Sequence, residues 1–424
     1  MKKFHLCLLA VAAFMTVSCV KDADPNSEPT WTTEQQQTIQ SLRMLETVDK
    51  DNGCLYEINY TADYLLDSVL QCDGAYLLEA VDNIKKTILP NSKWVFTFDL
   101  NKIPTGLGCT CFSASSSSGG YILGRNYDFP PMDEHSLIIH TPQVKDADGN
   151  IIRHATVGCA DLAPVVNFFT DKRGYTTNKM KEFLLYSPYF ILDGINDAGL
   201  MCGLMILEYD GTFQTDGSKK NLLNVMIPRL ILDKCTTVEQ AVNLIKQYRV
   251  QTMFATSSDH NYCIDMHFVI ADKSGGRVLV EWVNNNIRVL CPGVDGELPK
   301  QTSNDYILAT NFYLSSNPVP CPVGVNELGF WRYDVLDSLL AINSNPSQQE
   351  AMNMCKAVKI TQNDEDAIRK MNEIDPQHTY WNDRDKWPWI TLWSEVYDTQ
   401  SLSMIFCSRE EYDNPITIPL EYQK

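Results

Sequence analysis

The sequence predicts an α+β fold in which sheet layers are covered by helices. Three observations lead to this prediction: short strand-like runs separated by turns, helical patterns between groups of those runs, and a helical stretch ahead of them. Gly119 and Gly120, and the segment 274–276, supply the clearest turn signals. The strand-like runs are residues 111–114, 121–123, 136–140, 201–207, 267–271 and 278–283.

Helical patterns lie both among the strands and before them. Residues 237–248 begin with Thr237, a good capping residue, and carry apolar side chains on one face; residues 333–340 show a similar pattern. Residues 34 to about 90 are predicted to be helical, because their apolar residues recur at helical spacing. A strand is expected at residues 94–98, just before the chain changes character.

The composition is that of a globular protein with a core of its own. The chain has 424 residues, of which 44% are hydrophobic, so it can fold without disulfides or metals. Its formal net charge of −18 argues against a nucleic-acid surface, which needs clustered Lys and Arg. The 14 cysteines form no CxxC pair and no Cys/His cluster, and there is no HExxH motif. A zinc site is therefore not expected, and hydrolysis by a cysteine nucleophile would need neither a metal ion nor an organic cofactor.

The N-terminus has the order of a secretory signal: Lys2 and Lys3, an apolar run over residues 8–17, then a small residue followed by Cys19. This ending resembles the lipobox of bacterial lipoproteins, whose cysteine is lipidated and becomes the mature N-terminus. We therefore expect residues 1–19 to be a lipoprotein signal. The protein would be exported and held by its lipid at the bacterial outer membrane or cell surface. The alternative is a plain cleaved signal with an incidental cysteine.

Residues 108–129 contain the candidate nucleophile, Cys109, and the charged residues predicted to lie beside it. They are predicted to form two strands joined by a turn at the paired glycines, which would bring Arg125 and Asp128 back beside Cys109. A cysteine next to an arginine can ionise to the reactive thiolate, and a carboxylate can hold an amine by hydrogen bonding. If Cys109 were a chain terminus, its own α-amine could take the thiol proton without any histidine.

Cys109-Thr110, followed by the run from Gly124 through Arg125 to Asp128, resembles the choloylglycine hydrolase superfamily. That superfamily includes bile salt hydrolases, penicillin V acylases, and the acid ceramidase and N-acylethanolamine amidase branch. In its motif the arginine and aspartate follow the terminal cysteine by sixteen and nineteen positions, as they do here. The resemblance implies a four-layer αββα N-terminal-nucleophile hydrolase fold, with Cys109 as nucleophile and Arg125 and Asp128 as catalytic residues.

Three later segments match the family in order. Asn196 lies in a segment, residues 193–200, that resembles the family's Gly-Leu turn near the site. Asn311 matches an asparagine that helps to form the oxyanion hole, and Arg332 matches an arginine that supports the site. One departure weakens the bile-salt assignment more than the amidase assignment. Where bile salt hydrolases carry a second oxyanion asparagine, this chain has Met205 or Ile206, so a backbone N–H would have to serve there.

Each of these assignments has a simpler alternative. Cys109 could be a buried inert thiol, and Arg125 with Asp128 could be a solvated surface pair that contributes little. Asn311 could cap a turn, and Arg332 could be an ordinary helix-surface residue. The matched spacing favours the catalytic interpretation for the first three residues.

The domain boundaries follow from this assignment. After a polar tether at residues 20–33, residues 34–108 form a helical propeptide or a retained small subunit, and residues 109–424 form the catalytic domain. The helical stretch resembles the N-terminal subunit of acid-ceramidase-like members, which is cut from the catalytic chain but stays bound. An extension that is never cut is the alternative. Gly108 suits the cut before Cys109, because glycine tolerates the backbone strain of attack on its own carbonyl.

The sequence therefore predicts a self-processing hydrolase of linear amides. Its small-molecule substrate would be an N-acyl amino acid, an N-acylethanolamide, a ceramide-like lipid, a conjugated bile salt or penicillin V. The expected partners are this substrate, the membrane through the lipid anchor and the cleaved N-terminal segment. A homo-oligomer is a further option, and nucleic acid is not expected. The alternative is a surface-tethered binding lipoprotein that keeps the fold without catalysis.

Overall fold

A computed structural model gives the structure of the chain. It describes residues 30–47, 54–74, 77–92, 108–129, 135–162, 178–207, 217–251, 265–294, 301–315, 326–360, 390–409 and 411–423. The predicted signal with Cys19 and the predicted strand at residues 94–98 lie outside these ranges. None of the helices in the described ranges is long and apolar enough to cross a membrane.

Eight α-helices and nineteen strands are present in these ranges. The helices are α1 Thr33–Gln40, α2 Leu66–Leu70, α3 Leu77–Ile88, α4 Asn178–Tyr186, α5 Ile227–Lys234, α6 Val238–Ile245, α7 Asn326–Ile342 and α8 Gln348–Ala357. The first ten strands are β1 Arg43–Thr47, β2 Cys54–Asn59, β3 Gly108–Ser115, β4 Tyr121–Phe129, β5 His135–Thr141, β6 Val144–Lys145, β7 Ile151–Arg153, β8 Thr156–Asp161, β9 Asp193–Asn196 and β10 Met201–Leu207. The others are β11 Asn221–Leu223, β12 Arg249–Gln251, β13 Asp265–Ala271, β14 Arg277–Val283, β15 Asn286–Leu290, β16 Tyr306–Ala309, β17 Ile390–Asp398, β18 Ser403–Ser408 and β19 Ile416–Pro419.

Two large sheets pack face to face. One has the strand order β1-β2-β5-β8-β9-β10-β13-β14-β15 and the other β16-β3-β4-β17-β18-β19. Strand β10 lies against β3 and β4, and β13 and β14 lie against β16. Helices α5 and α6 cover the outer face of the first sheet, and α7 and α8 cover that of the second. The described chain is therefore a four-layer αββα sandwich, which confirms the predicted fold class.

The central hairpin forms where the sequence predicts it. Gly119 and Gly120, at its turn, have φ values of 93° and 74°, a region that glycine enters without steric cost. A Cβ on Gly120 would also lie 2.6 Å from Oγ1 of Thr399. Strand β3 pairs with β4 so that Cys109 lies opposite Tyr127. Helices cover one face of this sheet and strands cover the other, so both faces are buried. The polar residues of β3 and β4 therefore lie inside the protein.

The N-terminal segment is only partly helical. Helices α1, α2 and α3 agree with the prediction, but residues 43–47 and 54–59 are strands. Strand β2 pairs in parallel with β5, so this segment extends the larger sheet instead of forming a separate helical unit. The apolar repeat around Leu42 and Leu45 misled the prediction, because it runs from the end of α1 into β1. In β2, Leu55 and Ile58 are both fully buried, since the strand is covered within the sandwich.

The other predicted elements differ from the structure mainly at their ends. The predicted strand 201–207 has the same bounds as β10, and the predicted strands at 136–140, 267–271 and 278–283 lie within β5, β13 and β14. The helix predicted from residue 237 begins at Val238, and the Thr237 side chain accepts a hydrogen bond from the Gln240 backbone N–H, 3.2 Å away. The pattern at 333–340 lies inside the longer helix α7.

Candidate active site

Cys109 lies near the start of β3, on the face that meets the other sheet. Strand pairing sets Cys109 opposite Tyr127 and Cys111 opposite Arg125, and alternation along each strand puts all four side chains on one face. The close approach of the two sheets is visible at Gly203 of β10, where an added Cβ would lie 2.6 Å from the Cys111 sulfur. Cys109 itself is only 1% exposed.

Arg125 is the cation nearest to the thiol, and its guanidinium is fixed on every side. Its Nη2 lies 3.6 Å from the Cys109 sulfur and also donates to the Leu204 carbonyl at 3.1 Å. Nε donates to the same carbonyl at 3.2 Å. Nη1 donates to Asp193 at 2.8 Å and to Glu395 at 3.1 Å. All five N–H donors of a guanidinium are thereby engaged, so Arg125 cannot turn away from the thiol without breaking contacts to both sheets.

The Cys109 thiol is protonated in this environment. Burial raises its pKa above the usual value, Arg125 and Arg332 pull the pKa down, and the negative charge of Asp128 pushes it up. The net direction is upward, so Arg125 opposes the effect of burial without cancelling it. A reaction at this sulfur near neutral pH therefore needs a base to remove the proton.

The backbone nitrogen of Cys109 is held by Asn311, which follows β16. The Asn311 Oδ1 accepts from the Cys109 N–H at 2.8 Å and from Arg332 Nη2 at 2.7 Å. Its Nδ2 donates to the Ile206 carbonyl at 2.8 Å. Two donors on one side and an acceptor on the other fix which end of the amide faces Cys109. Asn311 thus connects the end of β10 to the peptide bond that precedes the thiol.

Asp128 and Arg332 lie on the opposite, helix-covered face of the same sheet. Arg332 Nη1 donates to Asp128 Oδ2 at 2.6 Å and to Thr110 Oγ1 at 2.9 Å. Thr391 donates its hydroxyl to Asp128 Oδ1 at 2.6 Å. Burial raises the pKa of Asp128 above its usual value, although Arg332 and Thr391 both favour the charged form. In the uncut chain Asp128 lies opposite Gly108 in the strand pairing, whereas Asn311 makes the contact to the Cys109 nitrogen.

Gly108 is packed against this ion pair. A Cβ at this position would lie 3.0 Å from Asp128 Oδ2 and 3.3 Å from Arg332 Nη2, so a larger residue would push on both side chains. Glycine therefore avoids a tight contact here, because a Cβ would need the neighbouring side chains to shift by a few tenths of an ångström. The peptide bond between Gly108 and Cys109 lies among Asp128, Arg332 and Asn311.

The structure brings together the predicted catalytic residues Cys109, Arg125, Asp128, Asn311 and Arg332. Two of the simpler alternatives are wrong. Arg125 and Asp128 do not form a surface pair, since they are 0% and 1% exposed, and Arg332 is not a helix-surface residue, since it is 1% exposed.

Asn196 serves a turn, as its sequence suggests. Its Oδ1 accepts from the backbone N–H groups of Ala198 and Leu200, and its Nδ2 donates to the carbonyls of Leu232 and Cys235. These contacts join the β9–β10 turn to helix α5, at the opposite end of β9 from Asp193. Asn196 therefore stabilises the frame of the site and lies apart from the thiol.

The carboxyl partners of Arg125 were not identified from the sequence. Asp193 was noted only as part of a turn motif, and Glu395, Tyr397 and Thr391 of β17 were not singled out. Strand β17 is buried along its whole length and carries Glu395 among apolar and aromatic residues. Because a buried charge requires a partner, this carboxylate was the clue to an ion pair. Among the described residues, no three His, Cys, Asp or Glu side chains are placed to bind a metal ion together.

Comparisons with known proteins give a family and similar folds. The profile of the linear amide C-N hydrolases, choloylglycine hydrolase family, matches residues 109–312, beginning at Cys109 and ending one residue after Asn311. No curated protein matches the chain.

Two solved structures are similar at low identity. A mutant of the conjugated bile acid hydrolase from Clostridium perfringens is 12% identical, with 73% of this chain and 92% of that chain covered and a TM-score of 0.46. The penicillin V acylase from Agrobacterium tumefaciens is 16% identical, with 73% and 84% covered and a TM-score of 0.38.

Proposed function

The chain belongs, through residues 109–312, to the linear amide C-N hydrolases of the choloylglycine hydrolase family, and we propose that Cys109 is its nucleophile. One observation carries this proposal. The Cys109 sulfur lies 3.6 Å from Arg125, while the nitrogen of the same residue is held at 2.8 Å by Asn311. A thiol and the nitrogen that can become its base are thus fixed together in one residue.

The first reaction is a cut of the chain itself. The Cys109 sulfur attacks the Gly108 carbonyl carbon, the C–N bond breaks, and the acyl group passes to sulfur as a thioester while the nitrogen takes up the thiol proton and becomes an amine. Water then hydrolyses the thioester, releasing the Gly108 carboxylate and restoring the thiol. The hydrogen bond from the Cys109 nitrogen to Asn311 supports this step, because it holds the leaving nitrogen in place.

The freed amine supplies the base that the buried thiol needs. An α-amine has a pKa of about 8, so near neutral pH a useful fraction is unprotonated and can accept the thiol proton. Once the Gly108–Cys109 bond is broken, the end of the N-terminal fragment can move away from Asp128, against which Gly108 is packed, and the carboxylate can then hold the amine. Arg125 favours the thiolate that results.

Substrate hydrolysis repeats the same chemistry. The thiolate attacks the substrate amide carbon, the amine returns its proton to the leaving nitrogen, and water releases the acid from the thioester. An amide nitrogen carries two hydrogens, and Ile206 accepts one from Asn311. The second hydrogen, with a backbone N–H, can stabilise the oxyanion, a contribution of about 3 kcal/mol per donor.

The substrate class is a linear amide beside an apolar acyl group. Either Met205 or Ile206 lies where bile salt hydrolases carry an asparagine, and both side chains are buried and apolar. They favour N-acyl amino acids, N-acylethanolamides or ceramide-like lipids over conjugated bile salts.

The test is hydrolysis of a panel of these amides together with a conjugated bile salt and penicillin V. Cys109→Ala should abolish activity on every member. Cys111→Ser is the matched control, because Cys111 is a fully buried thiol of the same strand, and it should retain activity. Equal loss in both variants, or activity in Cys109→Ala, would contradict the proposal. A folded wild type that binds an amide without splitting it would favour the binding lipoprotein instead.

We further propose that the N-terminal segment stays bound after the cut. Strand β2 is hydrogen-bonded along β5, and two buried tyrosines reach across: Tyr64 donates to Asp233 at 2.6 Å and Tyr60 donates to the Leu185 carbonyl at 2.6 Å. Losing this segment would expose an inner strand of the sheet. The two fragments should co-elute in native size-exclusion chromatography and separate in denaturant; a catalytic fragment that elutes alone under native conditions would contradict retention.

The lipid anchor at Cys19 remains a proposal from the sequence. Cells fed a labelled fatty acid should incorporate it into the N-terminal fragment of wild type and lose the label in Cys19→Ala. Label on the catalytic fragment, or none in wild type, would count against the anchor. With a bound and lipidated N-terminal fragment, the catalytic fragment would be held at the membrane without a covalent link.

A further inference from the structure

Two carboxyl groups share one nitrogen of Arg125. Asp193 comes from β9 of the larger sheet and Glu395 from β17 of the smaller sheet, and both are fully buried. Arg125 Nη1 donates to one oxygen of each, at 2.8 Å and 3.1 Å. This arrangement places two potential negative charges against one positive charge, next to the sulfur that the proposed function uses.

Two carboxylates this close in a buried site do not both ionise readily. The hydrogen bonds distinguish the two. Asp193 accepts from Arg125 and from the hydroxyl of Tyr397, so each of its oxygens has a donor. Glu395 accepts only from Arg125, and its Oε2 has no hydrogen-bond partner among the described residues. Asp193 is therefore better suited to carry the negative charge and Glu395 to carry a proton.

The electrostatic environment agrees with this distribution. Burial and then the negative charge of Asp193 raise the pKa of the Glu395 carboxyl well above its usual range, and Arg125 reverses only part of the effect. For Arg125, burial alone would lower the pKa, but interaction with the acidic groups of Cys109, Asp193 and Glu395 outweighs burial and raises the pKa well above its usual value, so the guanidinium stays charged.

We propose that Asp193 and Glu395 are positioning residues that together hold one proton, carried by Glu395, so that they set a single negative charge against Arg125. With both carboxylates ionised, the group around Arg125 would be net negative and would oppose a thiolate at Cys109. With one proton held, the group is neutral. The thiol then ionises beside a balanced ion pair. This inference rests on the proposed role of Cys109 as nucleophile.

Other titratable groups face the carboxyl pair and the Cys109 sulfur. Around the carboxyl pair they are Tyr397, Cys111, Cys202, Cys159 and Cys355. Around the Cys109 sulfur they are Arg125, Arg332, Asp128 and Tyr127. Burial raises the pKa of each of these thiols and phenols whose shift is resolved. Tyr397, Cys111, Cys202, Cys355 and Tyr127 are therefore neutral near pH 7, so the charge balance depends on the arginines and carboxyl groups.

Isosteric amide substitutions at Glu395 and Asp193 show how many of the two carboxyl groups are ionised, through the midpoint of thiol ionisation at Cys109. Glu395→Gln replaces a protonated carboxyl by a neutral group of the same shape, so the midpoint of thiol ionisation at Cys109 should move by less than about 0.3 pH unit. Adding Asp193→Asn removes the one remaining negative charge. The midpoint should then fall by about one pH unit or more, which is a tenfold change in the thiolate fraction.

The measurement is the pH dependence of iodoacetamide labelling of Cys109 in the purified self-processed protein, followed by mass spectrometry of the Cys109 peptide. If Glu395→Gln alone lowers the midpoint as much as the second substitution does, both carboxylates were ionised and the proposal is overturned. It is equally overturned if the double variant leaves the midpoint unchanged. A purely structural role for the pair would alter stability without this stepwise shift.

A second measurement covers a double variant that fails to fold. Wild type at neutral pH should show the infrared carbonyl band of an un-ionised carboxylic acid that is lost in Glu395→Gln; a spectrum unchanged by this substitution overturns the proposal. Failure of the proposed function is distinguishable. Hydrolysis retained in Cys109→Ala would remove Cys109 as nucleophile, while the labelling midpoint of wild-type Cys109 would still report the charge held by the pair.

Discussion

Two buried arginines lie on opposite faces of the central hairpin, and their surroundings differ. Arg125 faces the other sheet, where two carboxyl groups and the Cys109 sulfur surround it. Arg332 comes from helix α7 on the outer face, where its hydrogen bonds to the described residues include one carboxylate, Asp128, and neutral oxygens of Thr110 and Asn311. Both guanidinium groups are buried and contact the residues around Cys109, yet in the part of the chain that the structure describes only Arg125 is shared by two carboxyl groups.

The difference shows how the site divides its work. Interaction with acidic neighbours raises the pKa of Arg125. Burial lowers the pKa of Arg332, and its interactions with Asp128 and Cys109 offset this lowering only in part. Arg125 balances charge beside the sulfur. Arg332 orients the groups around the nitrogen, through Asn311, and around the peptide bond, through Asp128. Substitutions that remove charge, shape or one carboxylate separate these two roles.

Removing the charge of Arg125 should have the largest effect. Arg125→Met leaves two buried carboxyl groups without their cation, and loss of one partner from a buried pair typically costs about 3–5 kcal/mol. Chemical denaturation should show a loss of this size in the free energy of unfolding. Adding Asp193→Asn and Glu395→Gln to this variant is the control and should restore most of it. A stable single variant, or no recovery in the triple one, would contradict the charge-balancing role.

Arg332→Met should cost less stability while stopping the chain cut. The pKa of Asp128 is already raised, so this residue can take a proton, and Thr391 still donates to it. We expect a loss of about 1–3 kcal/mol by the same denaturation assay. Gel analysis should show uncut chain, because Asn311 and Asp128 lose their common partner. Equal losses for the two arginine variants would break the comparison.

A methyl group at residue 108 should disturb the outer face alone. Gly108→Ala places a carbon 3.0 Å from Asp128 Oδ2, and overpacking of this kind costs about 1–3 kcal/mol. The rate of chain cutting, followed by gel densitometry, should fall at least about tenfold for a loss of 1.4 kcal/mol at the transition state.

Gly217→Ala is the control for this substitution, because a Cβ on Gly217 meets nothing within 4 Å. It should leave the rate of cutting unchanged. Comparable slowing in both variants would mean that the contact to Asp128 does not matter.

The smallest effect is expected at a third buried ion pair, in the N-terminal segment, which lies away from the thiol. Burial would raise the pKa of Glu57, but His140 and Arg43 outweigh it and lower the pKa below its usual value. A depressed carboxyl pKa stabilises the folded state above the unfolded value of about 4.3 and loses that effect as the pH falls through the folded pKa. The free energy of unfolding of wild type should therefore be about 1 kcal/mol higher than that of Glu57→Gln at pH 7. This difference should vanish towards pH 3.

Urea denaturation between pH 7 and pH 3 measures this difference. Cutting at Gly108 should be equal in wild type and Glu57→Gln, since Glu57 contacts Arg43 and His140 and none of the residues around the thiol. A stability difference that grows as the pH falls would contradict the assigned direction of the pKa shift. Slower cutting in the variant would mean that the segment acts on the site.

The sequence predicts local features of this molecule better than distant ones. The hairpin turn at Gly119 and Gly120 could be predicted because the glycines themselves determine it. Cys109, Arg125 and Asp128 could be placed together because one hairpin connects them. Strands β1 and β2 were missed because their burial depends on β5, more than 70 residues further along the chain, and no local pattern reports such pairing.

The same limit applies to the partners of the arginines. Asp193 and Glu395 are separated by about 200 residues and meet only because the two sheets pack face to face. Asn311 and Arg332 were identified through the family motif, but periodicity alone does not connect either to Cys109. The group of Cys109, Arg125 and Asp128 is thus local, whereas the rest of the site and its charge balance depend on the sandwich as a whole.

The most direct test is the identity of the chain termini in purified protein. Mass spectrometry of wild type should show a fragment that begins at Cys109 and another that ends at Gly108, and Cys109→Ala should yield only the joined chain. An unbroken junction in protein that still hydrolyses amides would contradict the central claim that the nucleophile receives its base from its own nitrogen. The same cut in the alanine variant would contradict the claim that the sulfur makes it.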